Sequence, residues 1–245
     1  MGRDNIIYGI RAIMESIEAE KGINKVYLQK GLSGELFKEL EFLLRKKKIN
    51  ISYVPIERLN RFTQNNHQGA VASLSPVEFQ NFEKLAEDIL NTIESPIFLL
   101  LDQISDVRNF GAIIRTAECT GVHAIIVPKT GSAPINSDTV KTSAGAAFNV
   151  PIAKVDHLKD AIYYLQASEI TIVAATEKGS ETPYEVNLKK GCAIIMGAED
   201  KGISDSILKL SDHKTKLPIS GKIGSLNVSV ACGVMLYEVL RQRTS

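Results

Sequence analysis

The chain has 245 residues, a formal net charge of +1 at pH 7, and a composition that is 44% hydrophobic and 23% charged. These values are typical of a soluble globular protein with one large or two small domains. They lack the strong positive charge that is common in nucleic-acid-binding domains. No apolar run approaches the roughly 20 residues that a membrane-spanning helix needs.

The N-terminus and the cysteines both favour a cytoplasmic protein. Residues 1–5 contain no apolar signal-peptide core. Cys119, Cys192 and Cys232 are scattered without a C-x-x-C pair, so we expect reduced, buried thiols. The four histidines are also scattered, and no metal site is predicted.

The N-terminal third predicts a compact α/β domain. Its apolar periodicity predicts helices at 9–20, 34–48 and 56–62 and strands at 25–29, 51–54 and 70–74. Ser33 is expected to cap the second helix, whose basic end Arg45–Lys48 suits a helix C-terminus. We therefore predict a domain over residues 1–76, followed by a linker over 77–95 with a helix at 82–93.

From residue 96 to 245 a strand–loop–helix pattern repeats. The predicted strands are 97–101, 123–127, 150–154, 170–175, 192–196 and 215–219. The predicted helices are 110–120, 139–148, 158–167, 205–210 and 226–243. Nearly continuous apolar strands indicate burial on both faces, so we predict a parallel sheet covered by helices.

Three segments place polar side chains and glycines where a predicted strand ends and a helix begins. The first contains Asn109, Gly111 and Arg115, the second runs over residues 196–202, and the third runs over 221–229. In open α/β sheets this edge is where ligands bind. We therefore predict one small-molecule site built from all three segments.

Each segment allows a functional and a purely structural interpretation. Arg115 can grip a phosphate beside Asn109, or it can pair with Glu118 on the helix surface. Glu199 suits hydroxyl or amine recognition, or belongs to an ordinary polar turn. Ser225 is expected to cap the last helix, with Asn227 in its first turn. Neither G-x-G-x-x-G nor G-x-x-x-x-G-K-[ST] occurs at the required place, which disfavours a nicotinamide oxidoreductase and a P-loop enzyme.

Together the three segments resemble the motifs of a known family. Asn109-x-Gly-x-x-x-Arg115, Met196-Gly-x-Glu-x-x-Gly202 and Leu217-Pro-Ile with 225–229 (Ser-Leu-Asn-Val-Ser) are similar to those of the SpoU (TrmH) branch of the SPOUT methyltransferases. Residues 8–12 and 67–72 are similar to the N-terminal RNA-binding domain of its RlmB group, so the resemblance covers nearly the whole chain.

The resemblance implies a fold, a reaction and a cofactor. The C-terminal domain is expected to contain a trefoil knot, a rare exception among folds. It is expected to bind S-adenosylmethionine as methyl donor, without a metal, and to form a homodimer. The implied reaction is 2′-O-methylation of a guanosine in the peptidyl-transferase P loop of bacterial 23S rRNA, free or in an assembling large ribosomal subunit.

The resemblance also implies roles for individual residues. The expected catalytic residues are Arg115, Asn109, Glu199, Ser225 and Asn227. The expected donor-binding residues are Ala175, Thr176, Met196, Gly197, Ile219 and Leu226. The expected RNA-binding residues are His67, Gln68 and Arg115, and the basic run Arg45–Lys48 is a second candidate. Two alternatives stay open: methylation of tRNA or another rRNA site, and a non-catalytic RNA-binding assembly factor.

Overall fold

The computed structural model describes residues 6–19 and 21–244. The chain forms two compact units. Unit 1 comprises the residues up to 78 together with 134–137, and unit 2 comprises 79–133 and 138 onward.

Unit 1 is a four-stranded sheet with helices on both faces. Its strands are β1 (Ile6–Tyr8), β2 (Ile23–Gln29), β3 (Ile51–Val54) and β4 (Ala70–Leu74), in the order β1-β4-β2-β3. Its helices are α1 (Ile10–Glu18), α2 (Glu35–Lys46) and α3 (Ile56–Phe62). β2 and β3 are parallel, whereas β4 is antiparallel to both β1 and β2.

Two predictions in unit 1 need correction. Strand β1 was not predicted, because three residues show no clear alternation and its partner β4 lies about 60 residues away. Ser33 does not cap α2. Gly34 occupies the N-cap with φ of 149°, a conformation that favours glycine, and no side chain bonds to the helix there.

Unit 2 contains a six-stranded sheet in which every pair of neighbours is parallel. Its strands are β5 (Ile97–Asp102), β6 (Ala124–Pro128), β7 (Ile152–Val155), β8 (Thr171–Ala175), β9 (Cys192–Gly197) and β10 (His213–Thr215). Their order is β10-β8-β9-β5-β6-β7. The predicted α/β class and the separate N-terminal unit are confirmed, whereas the trefoil knot stays a prediction.

The helices of unit 2 cover this sheet. They are α4 (Phe82–Thr92), α5 (Val107–Cys119), α6 (Ser137–Thr142), α7 (Leu158–Ala167), α8 (Asp205–Leu208) and α9 (Val228–Thr244). Side chains of α4, α7 and α8 share one core with alternate residues of the strands, such as Phe98, Leu100 and Ile195. Helix α9 packs on β8, β9 and α5.

Two predicted elements end at least four residues earlier than expected. The helix predicted over 139–148 stops at Thr142, because Ala144 and Gly145 adopt left-handed conformations before a short 3-10 helix at Ala146–Phe148. The strand predicted over 215–219 stops at Thr215. Beyond it only Lys216 N–H continues the pairing, donating to Glu181 O at 2.7 Å.

The cysteines only partly match the prediction. Cys192 and Cys232 are buried, but Cys119 is exposed at the end of α5. Burial raises the pKa of the Cys192 thiol to about 11 and that of Cys232 to about 12. Both thiols therefore remain protonated at neutral pH and are poor nucleophiles.

Within the described ranges, no helix combines the length and the apolar character needed to cross a membrane.

Candidate active site

A cavity of about 540 Å³ opens at the carboxyl ends of β8, β9 and β10. Three segments far apart in sequence form it: residues 175–177, residues 196–202 and residues between 215 and 231. All six predicted donor-binding residues line it, namely Ala175, Thr176, Met196, Gly197, Ile219 and Leu226. The cavity thus lies at the edge of the sheet where the sequence predicts a ligand site.

One wall of the cavity is a tight loop that folds back over the end of β9. Gly202 N–H donates to Ala198 O at 2.8 Å, and Gly202 has a left-handed φ of 67°. A Cβ atom on Gly197 would lie 2.2 Å from the carbonyl carbon of Gly202 and 2.3 Å from the nitrogen of Ile203. The loop can approach the strand this closely only because residue 197 is glycine.

A polar cluster joins the three motifs at this cavity. The Asn227 side-chain nitrogen donates to Asn109 Oδ1 at 3.0 Å and to Glu199 Oε1. Glu199 Oε1 also accepts from Val228 N–H, at 3.4 Å. Glu199 therefore lies at the N-terminus of α9, where the helix dipole favours a negative charge.

The cap of α9 differs from the prediction. Asn227 Oδ1 accepts hydrogen bonds from Ser229 N–H at 3.0 Å and from Ser229 Oγ at 2.5 Å. Ser225 is not the N-cap, because the chain becomes helical only at Val228 and Asn227 supplies the cap. Ser225 is exposed and lines the cavity together with Glu199 and Asn227.

Arg115 does not join this cluster within one chain. Asp106 caps α5 by accepting from Asn109 N–H at 2.8 Å, so α5 begins three residues earlier than predicted. Arg115 is then the ninth helical residue and lies roughly 120° around the helix from Asn109. Its side chain is exposed and forms no hydrogen bond or ion pair with the described residues, Glu118 included.

Gly111 serves packing rather than a ligand. A Cβ atom at this position would lie 2.6 Å from Thr142 Cβ and 3.1 Å from Thr139 O. Residues of α6 occupy the space beside Gly111, so this glycine allows α5 and α6 to pack closely.

In unit 1, the two predicted RNA-binding residues differ in accessibility. His67 is 7% exposed, its Nδ1 accepts from Gly69 N–H at 3.0 Å, and its Nε2 lies 2.9 Å from Asn60 Oδ1. Gln68 is exposed with a left-handed φ of 52°, and its Oε1 accepts from Ile10 N–H at 3.2 Å. His67 thus orders the loop from within, while Gln68 lies on its surface.

The basic run lies at the other end of this sheet. Gln29 at the end of β2 bonds through its N–H to Gly69 O, which places the His67–Gln68 loop there. The run Arg45–Lys48 precedes β3, whose first residue, Ile51, pairs with Val26 in the middle of β2, whereas its last residue, Val54, pairs with Gln29. Because β2 and β3 are parallel, the basic run lies before the start of β3 and the His67–Gln68 loop lies at the opposite end of these two strands.

Sequence reasoning missed three polar residues of the cavity that lie outside the predicted segments. Glu177, Thr215 and Lys216 line it beside the predicted residues. Each lies within two residues of the end of β8 or β10. The position at the carboxyl end of a parallel strand is thus a sequence signal for all three.

Sequence comparison identifies both units of the chain. Residues 96–237 match the SpoU rRNA Methylase family. Residues 6–80 match the substrate-binding domain of RNA 2′-O ribose methyltransferases.

Similar proteins match over nearly the full length. The 23S rRNA (guanosine-2′-O-)-methyltransferase RlmB of Pseudomonas aeruginosa is 34% identical over 97% of this chain and 96% of its own length. The putative TrmH family tRNA/rRNA methyltransferase YacO of Bacillus subtilis is 31% identical over 97% of this chain and 95% of its own.

The fold also matches a solved structure. The SpoU methyltransferase AviRb from Streptomyces viridochromogenes aligns with a TM-score of 0.62 and 24% identity, over 98% of this chain and 90% of that one. Both units and the motif cluster are thus accounted for by one assignment: the chain belongs to the SpoU rRNA methylase family of RNA 2′-O-methyltransferases.

Proposed function

We propose that this chain transfers a methyl group from S-adenosylmethionine to the 2′-hydroxyl of a guanosine in the peptidyl-transferase P loop of bacterial 23S rRNA. The observation that carries the proposal is the hydrogen-bonded cluster of Asn109, Glu199 and Asn227 beside the cavity. The relative from Pseudomonas aeruginosa, named as a 23S rRNA guanosine methyltransferase, supports the choice of substrate.

The lining of the cavity fits the methyl donor. Its volume of about 540 Å³ lies in the range of roughly 300–1,000 Å³ common for ligand pockets. Met196, Ile219 and Leu226 offer apolar surface for an adenine ring, and Glu177 offers a carboxylate to a cationic group. When bound, the sulfonium supplies an activated methyl group to the ribose oxygen.

The residues of the chain must orient the ribose hydroxyl and help it to lose its proton. A hydroxyl is a weak nucleophile until its proton leaves, so the site must stabilise the developing alkoxide. We assign this role to Arg115, which also binds the neighbouring phosphate, because a guanidinium resists deprotonation and is a poor base. Asn109, Glu199 and Asn227 hold the mouth of the cavity in shape, and Ser225 positions the substrate.

In the homodimer that we propose, Arg115 lies near the subunit interface. Val230, Val234 and Tyr237 form an apolar stripe on the outer side of α9 and are 52%, 36% and 55% exposed. Their spacing of four and three residues places them on one helix face. We assign this stripe to a second copy of the chain, in a symmetric interface. Helix α5 packs beside α9, so Arg115 then lies near the subunit boundary.

RNA binding by unit 1 is assigned to the edge that carries Gln68. The Gln68 side-chain nitrogen forms no hydrogen bond with the described residues and is available to RNA. His67 acts indirectly, by fixing the loop conformation. Gln68→Ala is expected to weaken RNA binding, whereas Gln64→Ala in the same loop serves as the control. Lys46, Lys47 and Lys48 changed together to Gln should leave affinity and its salt dependence nearly unchanged.

We assign the domains in the same way. Residues 1–76 bind the RNA substrate, 77–95 connect, and 96–245 carry the methyltransferase site and the knot. The family matches at 6–80 and 96–237 support this division. Helix α4 contributes Phe82, Leu85 and Ile89 to the core of unit 2, so the connecting helix is packed rather than free. An rRNA substrate makes the cytoplasm the site of action.

The decisive experiment is methyl transfer from labelled S-adenosylmethionine to unmethylated bacterial 23S rRNA, with mapping of the modified ribose. We expect a single 2′-O-methylguanosine in the P loop. Asn109→Ala is expected to abolish transfer, while the exposed Asn149→Ala, which lies outside the cluster, should match the unaltered protein. Arg115→Lys with near-normal transfer would exclude a bidentate role for Arg115.

Two other outcomes would contradict the proposed substrate or the proposed activity. Transfer to tRNA but not to 23S rRNA would keep the reaction and discard the target, in line with the tRNA/rRNA name of the Bacillus subtilis relative. Folded, dimeric protein that methylates no RNA would favour a non-catalytic assembly factor.

A further inference from the structure

Asp102 is a buried carboxylate to which the motifs give no role. It ends β5, is 4% exposed, and pairs in register with Gly197 at the end of β9. Its Oδ2 accepts two hydrogen bonds from one residue, Ser204: N–H at 2.8 Å and Oγ at 2.6 Å. A buried carboxylate needs such partners, and hydrogen bonds to a charged acceptor are among the stronger ones.

These two bonds fix the far end of the loop that carries Glu199. The loop leaves the sheet at Gly197, folds back through the Gly202 N–H bond to Ala198 O, and reaches Ser204 two residues later. Strand β9 holds the near end and Asp102 holds the far end. Residues 199–201 are therefore the tip of a loop that is held at both ends to neighbouring strands.

The tip acts on the rest of the site through Glu199. Its carboxylate binds the side chain of Asn227 and the first N–H of α9, and Asn227 in turn binds Asn109. A loosened loop would release the N-terminus of α9 and the cluster together. Within the described residues no other side chain bonds to Asp102.

We propose that Asp102 is a positioning residue for the methyl-transfer site, acting through Ser204 to hold Glu199 against the N-terminus of α9. This proposal deepens the function proposed above and rests on it for its catalytic part. The structural part, a link from β5 to the start of α9, stands on the hydrogen bonds alone.

The test compares Ser204→Ala with Ser206→Ala, a serine two residues later that is exposed and makes no bond to Asp102. Hydrogen–deuterium exchange is read at residues 198–203 and 228–231, without RNA. We expect about tenfold faster exchange in both segments for Ser204→Ala only. Equal exchange in the two variants, or faster exchange confined to 198–203, overturns the proposal.

Methyl transfer then tests the catalytic part. Ser204→Ala should lower kcat about tenfold with little change in the KM for RNA, while Ser206→Ala should change neither. Asp102→Asn keeps an oxygen acceptor and should retain most of kcat, whereas Asp102→Ala should not. Equal losses in these two variants would overturn a role based on hydrogen-bond acceptance. Absence of transfer by the unaltered protein would refute the proposed function and leave the exchange result valid.

Discussion

Replacing Gly197 with alanine tests how the proposed donor cavity is built. The added Cβ would lie 2.2 Å from the carbonyl carbon of Gly202 and 2.3 Å from the nitrogen of Ile203. Non-bonded carbon contacts are comfortable at roughly 3.5–4.0 Å, so the backbone of the loop must move by about 1 Å or more. Overpacking of this kind costs about 1–3 kcal/mol of the free energy of unfolding.

The matched control is Gly233→Ala in the middle of α9. There the nearest atom to the new Cβ is Thr116 Cγ2 at 3.7 Å, an ordinary contact. Alanine in place of glycine inside a helix stabilises by up to about 1 kcal/mol. The same chemical change should therefore have opposite signs at the two positions.

Urea unfolding and calorimetric binding of S-adenosylmethionine measure the outcome. Gly197→Ala should lower the urea midpoint and weaken donor binding at least about tenfold, since residues 196–202 form one wall of the cavity. Gly233→Ala should raise the midpoint. The packing argument is refuted if Gly197→Ala unfolds at the same urea concentration as the unaltered protein and binds the donor equally well.

Three further predictions concern stability and assembly. Arg243 donates hydrogen bonds to the carbonyls of Ser95, Leu188 and Lys190. Arg243→Ala should lower the free energy of unfolding in urea by about 2–4 kcal/mol. Arg243→Lys should lose less, but it should not reach the stability of the unaltered protein because one ammonium group cannot span three acceptors. Burial lowers the pKa of Lys154 from 10.5 to about 8. Between these two pH values the unfolded chain binds more protons than the folded chain, so the free energy of unfolding rises with pH. Lys154→Met should remove this rise in unfolding experiments across pH 7–10.5, and an unchanged slope would contradict it. Val234→Asp should convert the proposed homodimer into a monomer in light scattering, whereas Tyr163→Asp on α7 should not.

The apolar pattern of a segment predicts the bounds of a helix or strand when those bounds depend only on the residues of that segment. β3, β4 and α7 have the predicted bounds, because their apolar periodicity is complete within the segment. The bounds of α6 and α9 depend instead on left-handed residues and on a cap, as at Gly145 and Asn227, which periodicity does not encode. The three-residue β1 depends on a partner far along the chain.

The site shows the same division. The six predicted donor-binding residues line one cavity because the carboxyl ends of parallel strands meet at one edge of a sheet. The link between Asp102 and Ser204 joins residues about 100 positions apart and has no local signal beyond an acid after an apolar run. The prediction that Arg115 lies beside Asn109 assumes that the helix starts at residue 110. Because Asp106 caps α5 and the helix starts at Val107, Arg115 and Asn109 lie on different faces of the helix.

The order of the cavity segments along the chain has a consequence for local unfolding. Residues 175–177 and 196–202 lie at the ends of β8 and β9, but the remaining wall extends to Ala231, in the first turn of α9. The cavity is therefore complete only while α9 is docked on the sheet. A ligand that binds only the complete cavity stabilises α9 against local unfolding, so occupancy of the cavity and order at this end of the chain rise together.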